Sequence, residues 1–172
     1  GPMYGTITYY LASPLNLIIF LFKSDKLPLA ITFIIWLKIS LSGLTMYIYL
    51  KNKVKHNKMI YLFTTCYALS AYTINYHFNL MWLDGVVLLP LVLYGIDRIL
   101  SNKKANIYII FLILSIISNY YIGYMICIMS VIYFISEFLL KYDIKKDKKI
   151  IINFVISSIL SGLMCAFILI PS

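Results

Sequence analysis

Residues 105–140 read ANIYIIFLILSIISNYYIGYMICIMSVIYFISEFLL, and the way this run meets a bilayer decides the fold. Its 36 residues would make one helix about 54 Å long, against a hydrocarbon layer of about 30 Å. Basic patches flank it: Arg98, Lys103 and Lys104 before, and Lys141, Lys145, Lys146, Lys148 and Lys149 after. One crossing would put those patches on opposite faces, whereas short basic loops gather on the cytoplasmic side. A break at Ser118-Asn119-Tyr120-Tyr121-Ile122-Gly123-Tyr124 resolves this, because polar residues and a glycine interrupt the run there. Two short crossings then return the chain to its starting face. The first arm, 107–118, is only about 18 Å long as a helix, so the break lies inside the layer and needs a protein-lined or wet cavity.

The rest of the chain follows the same pattern. Apolar runs cover 27–50, 59–76, 84–100 (with Pro90 as a kink) and 150–170. The fold expected is all-α: a polytopic transmembrane helical bundle of about six crossings, with a broken helical hairpin. Composition agrees, since 62% of the 172 residues are hydrophobic, 12% are charged and mean hydropathy is +0.90. One soluble core cannot hide that much apolar surface. The net charge of +9 does not point to nucleic acid, because twelve of the 15 Lys/Arg fall in three connectors. The first of these holds Lys51, Lys53, Lys55 and Lys58. Residues 1–26 then fall outside, and the run ITYYLASPLNLIIFLF at 7–22, interrupted by Ser13-Pro14, suits an outer-leaflet element that lies along or dips into the bilayer. A single transmembrane domain therefore spans 1–172. Gly1-Pro2 before Met3 suits either an expression scar or a cut from a longer protein; no earlier crossing carries the chain outside, so a fragment of a longer protein is expected. Cys66, Cys127 and Cys165 stand singly in apolar runs and read as small buried hydrophobes.

This topology brings the polar and aromatic clusters to one face. His77, Asn79, Trp82 and Asp84 form an outer loop, and Asn119, Tyr120, Tyr121 and Tyr124 the hairpin break. Carboxylates accept sugar hydroxyls and aromatic rings stack on sugars, so these residues are candidates for binding a headgroup or sugar. His77 and Asp84 also have the chemistry for proton transfer. The alternatives are plain: Trp and Tyr gather at bilayer interfaces, and Asp84 suits an N-cap. Lys38, twelfth in its 24-residue run, sits near mid-bilayer, where a charge needs an interior partner such as a carbonyl, an acid or an anionic ligand. Glu137, near a helix end, reads as solvated. There is no P-loop, dinucleotide fingerprint, nucleophile elbow or metal-ligand spacing, and the sequence requires no cofactor and no metal.

The runs SPLNLIIFLF, LKISLSGLTMYIYLKNK, HFNLMWLDGVVLLPLVLYGIDRI and IISNYYIGYMICI resemble the bacterial YfhO membrane-protein family along nearly the whole chain. MWLD followed by LPL, and SNYYIGYM, carry the most specific part of the likeness. The resemblance implies a GT-C-like fragment of a glycosyltransferase that takes sugar from a polyprenyl-phosphate carrier outside the bacterial cytoplasmic membrane. It also implies partners: membrane lipids, a lipid-linked sugar and a cell-wall polymer acceptor such as lipoteichoic acid, with no nucleic acid. In such enzymes the catalytic acid lies in the first outer loop, which would be upstream of this chain, so no catalytic role passes to Asp84. A transporter or permease, and a structural segment without ligand, remain open as other readings.

Single cysteines in a cysteine-free background test the topology with an impermeant thiol reagent. Positions 51–58, 101–104 and 141–149 are expected to be protected in intact cells, and 77–83 and 118–124 to label. Labelling of position 53 from outside contradicts it.

Overall fold

The computed structural model describes residues 13–54, 58–143 and 146–166. Among these, every element is helical. Gly1-Pro2, the first part of the expected outer element, Lys55, Lys145 and the end of the last apolar run lie outside the described residues.

A 3-10 segment, Pro14–Leu21, leads through a shorter one, Ser24–Lys26, into α1, Leu27–Lys53. Pro28 sits in the first turn of α1, where a missing N–H costs nothing, and Lys51 and Lys53 close it against the negative end of the helix dipole. Then come α2 (Met59–Ala68), α3 (Ala71–Asn75), α4 (Leu80–Leu100), α5 (Asn106–Ser118), α6 (Tyr120–Lys141) and α7 (Lys148–Met164). Three of these, α1, α4 and α6, are long and apolar enough to cross a membrane, and α5 is a shorter apolar helix. The run expected as one crossing at 59–76 is broken at Leu69-Ser70, where Ser70 Oγ accepts the Thr73 N–H and starts a new turn.

The long hairpin breaks at one residue. Asn119 is extended (φ −161°, ψ 115°), and its Oδ1 accepts the Ile122 N–H at 3.0 Å. A Cβ on Gly123 would stand 2.7 Å from Ile116 Cα, so only glycine lets the two arms close this tightly.

Contacts fix the directions of the helices. Lys38 meets Asp84 near the start of α4, and Tyr49 meets Tyr133, which in turn meets Asp97; α1, α4 and α6 therefore run the same way. Tyr47 stacks on Tyr61 and Gly43 faces Ala68, so α2 returns against α1. Phe154 lies against both Tyr108 and Phe134 (ring centroids 5.5 and 4.0 Å), and Cys165 lies by Ile113, so α5 and α7 also run back. Around α4 these helices bury Val92, Ile96, Tyr108, Leu112, Phe134 and Phe154.

Polarity is arranged for an apolar surround. Trp36, Phe63 and Leu163 are exposed, while Ser115, Ser130 and Ser161 are buried with each hydroxyl donating to a carbonyl four residues back. Small residues inside let helices approach closely. Of the cysteines, Cys165 is buried as expected, Cys127 is half-buried and Cys66 is exposed, on a helix whose only buried residue is Ile60. Where α1, α4 and α6 end, Glu137 bridges Lys53 (2.6 Å) and Lys141, and its side chain is only 13% exposed. The expectation of a solvated Glu137 is thus corrected: Lys53, from a helix distant in sequence, comes to cover it.

α4 is continuous through Pro90, which has no N–H to give the Val86 carbonyl. Tyr67 Oη donates to that carbonyl at 2.7 Å instead. Tyr67→Phe is expected to cost about 1–3 kcal/mol, the penalty of a buried unpaired carbonyl. In a Pro90→Ala background the restored N–H should remove most of this cost. Thermal unfolding of the four proteins in detergent measures the coupling; equal losses in both backgrounds contradict it.

Candidate functional site

Lys38 lies in the middle of α1 and is fully buried. Its ammonium has three donors, and three acceptors surround it: Asp84 Oδ1 at 2.9 Å, Leu80 O at 2.8 Å and Asn16 Oδ1 at 2.9 Å. They come from α4 and from the 3-10 segment, so one cation joins three pieces of chain. The interior partner expected for Lys38 is an acid, with a carbonyl and an amide beside it.

Asp84 is not an N-cap. Helix α4 begins at Leu80, with Asn79 before it, which places Asp84 on the fifth helical residue. From there its side chain, 3% exposed, points into the bundle at Lys38. The helix starts earlier, at Leu80, with Leu83 buried and Leu80, Met81 and Trp82 half-buried. A sugar can reach this carboxylate only if the junction opens. Ser13, also buried, adjoins it.

The other candidates form two groups. His77 Nδ1 donates to Ile74 O at 2.6 Å, and its ring lies 4.0 Å from that of Phe78. Trp82 packs on Tyr76, and Tyr76 on Tyr72, giving a continuous aromatic run (5.3 and 5.2 Å) beside half-buried Asn79. At the hairpin break Asn119 is buried as the cap of α6 and Tyr120 is half-buried, while Tyr121 and Tyr124 are exposed. The two groups meet through Gly85, where a Cβ would stand 2.3 Å from Ile122.

Two apolar clefts flank α4. One, of about 380 Å³, runs from Trp82 and Tyr72 past Ser70 and Tyr67 to Met125 and Met129. The other, of about 250 Å³, lies between Leu15, Leu41, Asp84, Leu91, Phe111 and Ser118. Tyr121 and Tyr124 line neither. Each cleft can hold a hydrocarbon chain; among the described residues no group of three His, Cys, Asp or Glu can hold a metal ion. Sequence reasoning missed Asn16 and Tyr67. A lone amide inside the apolar run SPLNLIIFLF was a usable signal for the first; a tyrosine in a tyrosine-rich chain gave none for the second.

A family model described as "Bacterial membrane protein YfhO" matches residues 1–172. No curated protein and no solved structure matches the chain.

Cap and ion-pair roles for Asp84 differ in their response to mutation. Asn and Ser are good caps and would spare a capping site. As Lys38's counter-ion, Asp84 is expected to tolerate neither. Asp84→Asn, Asp84→Ser and Asp84→Ala should all lose about 3–5 kcal/mol, because each leaves a buried charge unpaired. Thermal unfolding in detergent reads this, and near-normal melting of the Asn and Ser variants contradicts it.

Proposed function

Because the chain belongs to the YfhO family of bacterial membrane proteins, we propose that it forms the membrane portion of a GT-C-type glycosyltransferase. In this reading the helices make six crossings of the cytoplasmic membrane, the basic ends of α1, α4 and α6 lie in the cytoplasm, and the Trp82 and Asn119 ends face outward. The donor is a sugar on a polyprenyl phosphate; the acceptor is a hydroxyl of a cell-wall polymer such as lipoteichoic acid. The family match over residues 1–172 carries the proposal.

The 380 Å³ cleft suits it physically. Its walls are almost wholly side-chain hydrocarbon from Val86, Leu89, Ile122 and Met125, which a prenyl chain can contact without stripping water from any polar group. Tyr72 and Trp82 line the end that faces outward in this topology, with Tyr76 packed on both, and their ring faces can stack on a sugar. Lys38 and Asp84 take no chemical step here; they hold α4, and with it Trp82 and Gly85, at a fixed depth. The transporter reading rests on broken helices and a midplane lysine; the hairpin is broken at Asn119, but with all three Lys38 donors occupied that residue offers no open ion site.

Filling the cleft tests the proposal. Met125→Trp and Met129→Trp are expected to insert normally and to lower glycan transfer by tenfold or more, in membranes carrying the variants in the full-length protein. Unchanged transfer contradicts a role for the cleft. Solute flux in proteoliposomes without any change in glycan supports a permease instead.

A further inference from the structure

The segment Pro14–Leu21 is an uncomfortable piece of backbone. Runs of 3-10 helix longer than three or four residues are uncommon because their hydrogen bonds are poorly aligned, and this one has eight residues. None of the eight is buried, and Leu17, Phe20 and Leu21 face outward. Propensity does not hold it, and burial is partial, at Leu15, Asn16, Ile18 and Ile19. What holds it is Asn16 Oδ1 on Lys38, with Ser13 buried at one end and the Phe22 ring against Phe33 at the other.

Its path is set by those contacts. Phe22 lies by Phe33, Asn16 by Lys38, and Pro14 and Leu15 by Leu41 and Thr45, so the segment runs back along α1 towards mid-helix. The described part of the expected outer element therefore lies antiparallel to the first half of α1. There Pro14 and Leu15 form one wall of the 250 Å³ cleft whose other walls are α1, α4 and α5.

We infer that this segment is a strap, locked across the α1–α4–α5 cleft by the Asn16–Lys38 bond, and that its release opens the cleft to hydrocarbon chains. The lock is separable from the fold. Lys38 keeps Asp84 Oδ1 and Leu80 O when Asn16 leaves, so the ion pair and the α1–α4 packing survive release. Release breaks one charge-assisted hydrogen bond, which a water or polar headgroup at the junction can replace, and uncovers Ser13 and the Pro14-Leu15 wall of the cleft. The cleft behind is dry enough for a hydrocarbon chain, since apolar Leu41, Val87, Leu88 and Leu114 form most of its wall. The inference is independent of sugar transfer, and so is its test.

The experiment uses the full-length protein with Cys66, Cys127 and Cys165 replaced by alanine. Leu15→Cys and Leu41→Cys are joined by a short bismaleimide, and Leu88→Cys is separately labelled with a membrane-soluble maleimide. Asn16→Leu is expected to slow the cross-link several-fold and speed labelling at position 88 several-fold, with a much smaller loss of melting temperature than Asp84→Asn, because the Lys38–Asp84 pair stays intact. Asn16→Asp keeps an oxygen in place and is expected to behave like the parent. If Asn16→Leu cross-links and labels as the parent does, Asn16 is not the lock. If Asn16→Leu abolishes the folded protein, the bond is part of the fold and the strap is not separable; that result also overturns the inference.

Discussion

A lysine ammonium in the middle of an apolar helix must find partners, and the arrangement of this chain follows from where Lys38 finds them. On the mildest insertion scales such a charge costs about 2.5–3.5 kcal/mol at a helix centre. Asp84 cancels the charge, and Leu80 O and Asn16 take the two remaining N–H groups. Because those groups belong to different segments, satisfying one cation sets the depth of α4 and of the N-terminal segment against α1. Both helices then run in the same direction to a second polar junction at their other ends. There Lys53 and Asp97 meet through the Tyr133 hydroxyl, joined by Tyr49 and Glu137. From Lys38 to Lys53 and from Asp84 to Asp97 the rise along each helix is about 20 Å, so the two junctions are compatible with one register. Any slip of α4 along α1 would strand charge at both.

Between the junctions, the interior follows the rule that an apolar solvent imposes: every backbone polar group needs a partner within the protein. Pro90 breaks that rule locally and Tyr67 repairs it by donating to Val86 O. The repair has a structural consequence, since it draws the short, lightly buried α2 towards α4 and sets one wall of the larger cleft. Ser115, Ser130, Ser158 and Ser161 turn their hydroxyls onto their own helices, so close packing around Tyr108 and Phe154 leaves these donors paired.

Much of this was legible in the sequence. A 36-residue apolar run is too long for one crossing, and the break falls at Asn119, inside the stretch the polar residues marked. The need of Lys38 for an interior partner was also readable from its position. Its identity was not, because residues 38 and 84 are brought together only by helix packing. Asp84 looked like a cap because an aspartate before an apolar run usually is one; the helix starts four residues earlier, with Leu83 buried and Leu80, Met81 and Trp82 half-buried. Ser70 starts α3 by accepting the Thr73 N–H, a local bond that hydropathy does not register. Glu137 and Asn16 were misjudged or missed for one shared reason, since each takes its role from a lysine far away in sequence.

A thermodynamic cycle on Lys38→Met, Asp84→Leu and the double variant tests most directly whether the buried pair is the constraint on which this fold rests. Unfolding would be followed in detergent for all four proteins. Each single variant leaves a charge or its partner groups unpaired in a dry site and is expected to lose about 3–5 kcal/mol, whereas a matched apolar pair is often close to neutral. The double variant should therefore be far more stable than the sum of the single losses allows. Additive losses, or single variants as stable as the parent, would show that the two charges do not depend on each other and that something else fixes α4 against α1.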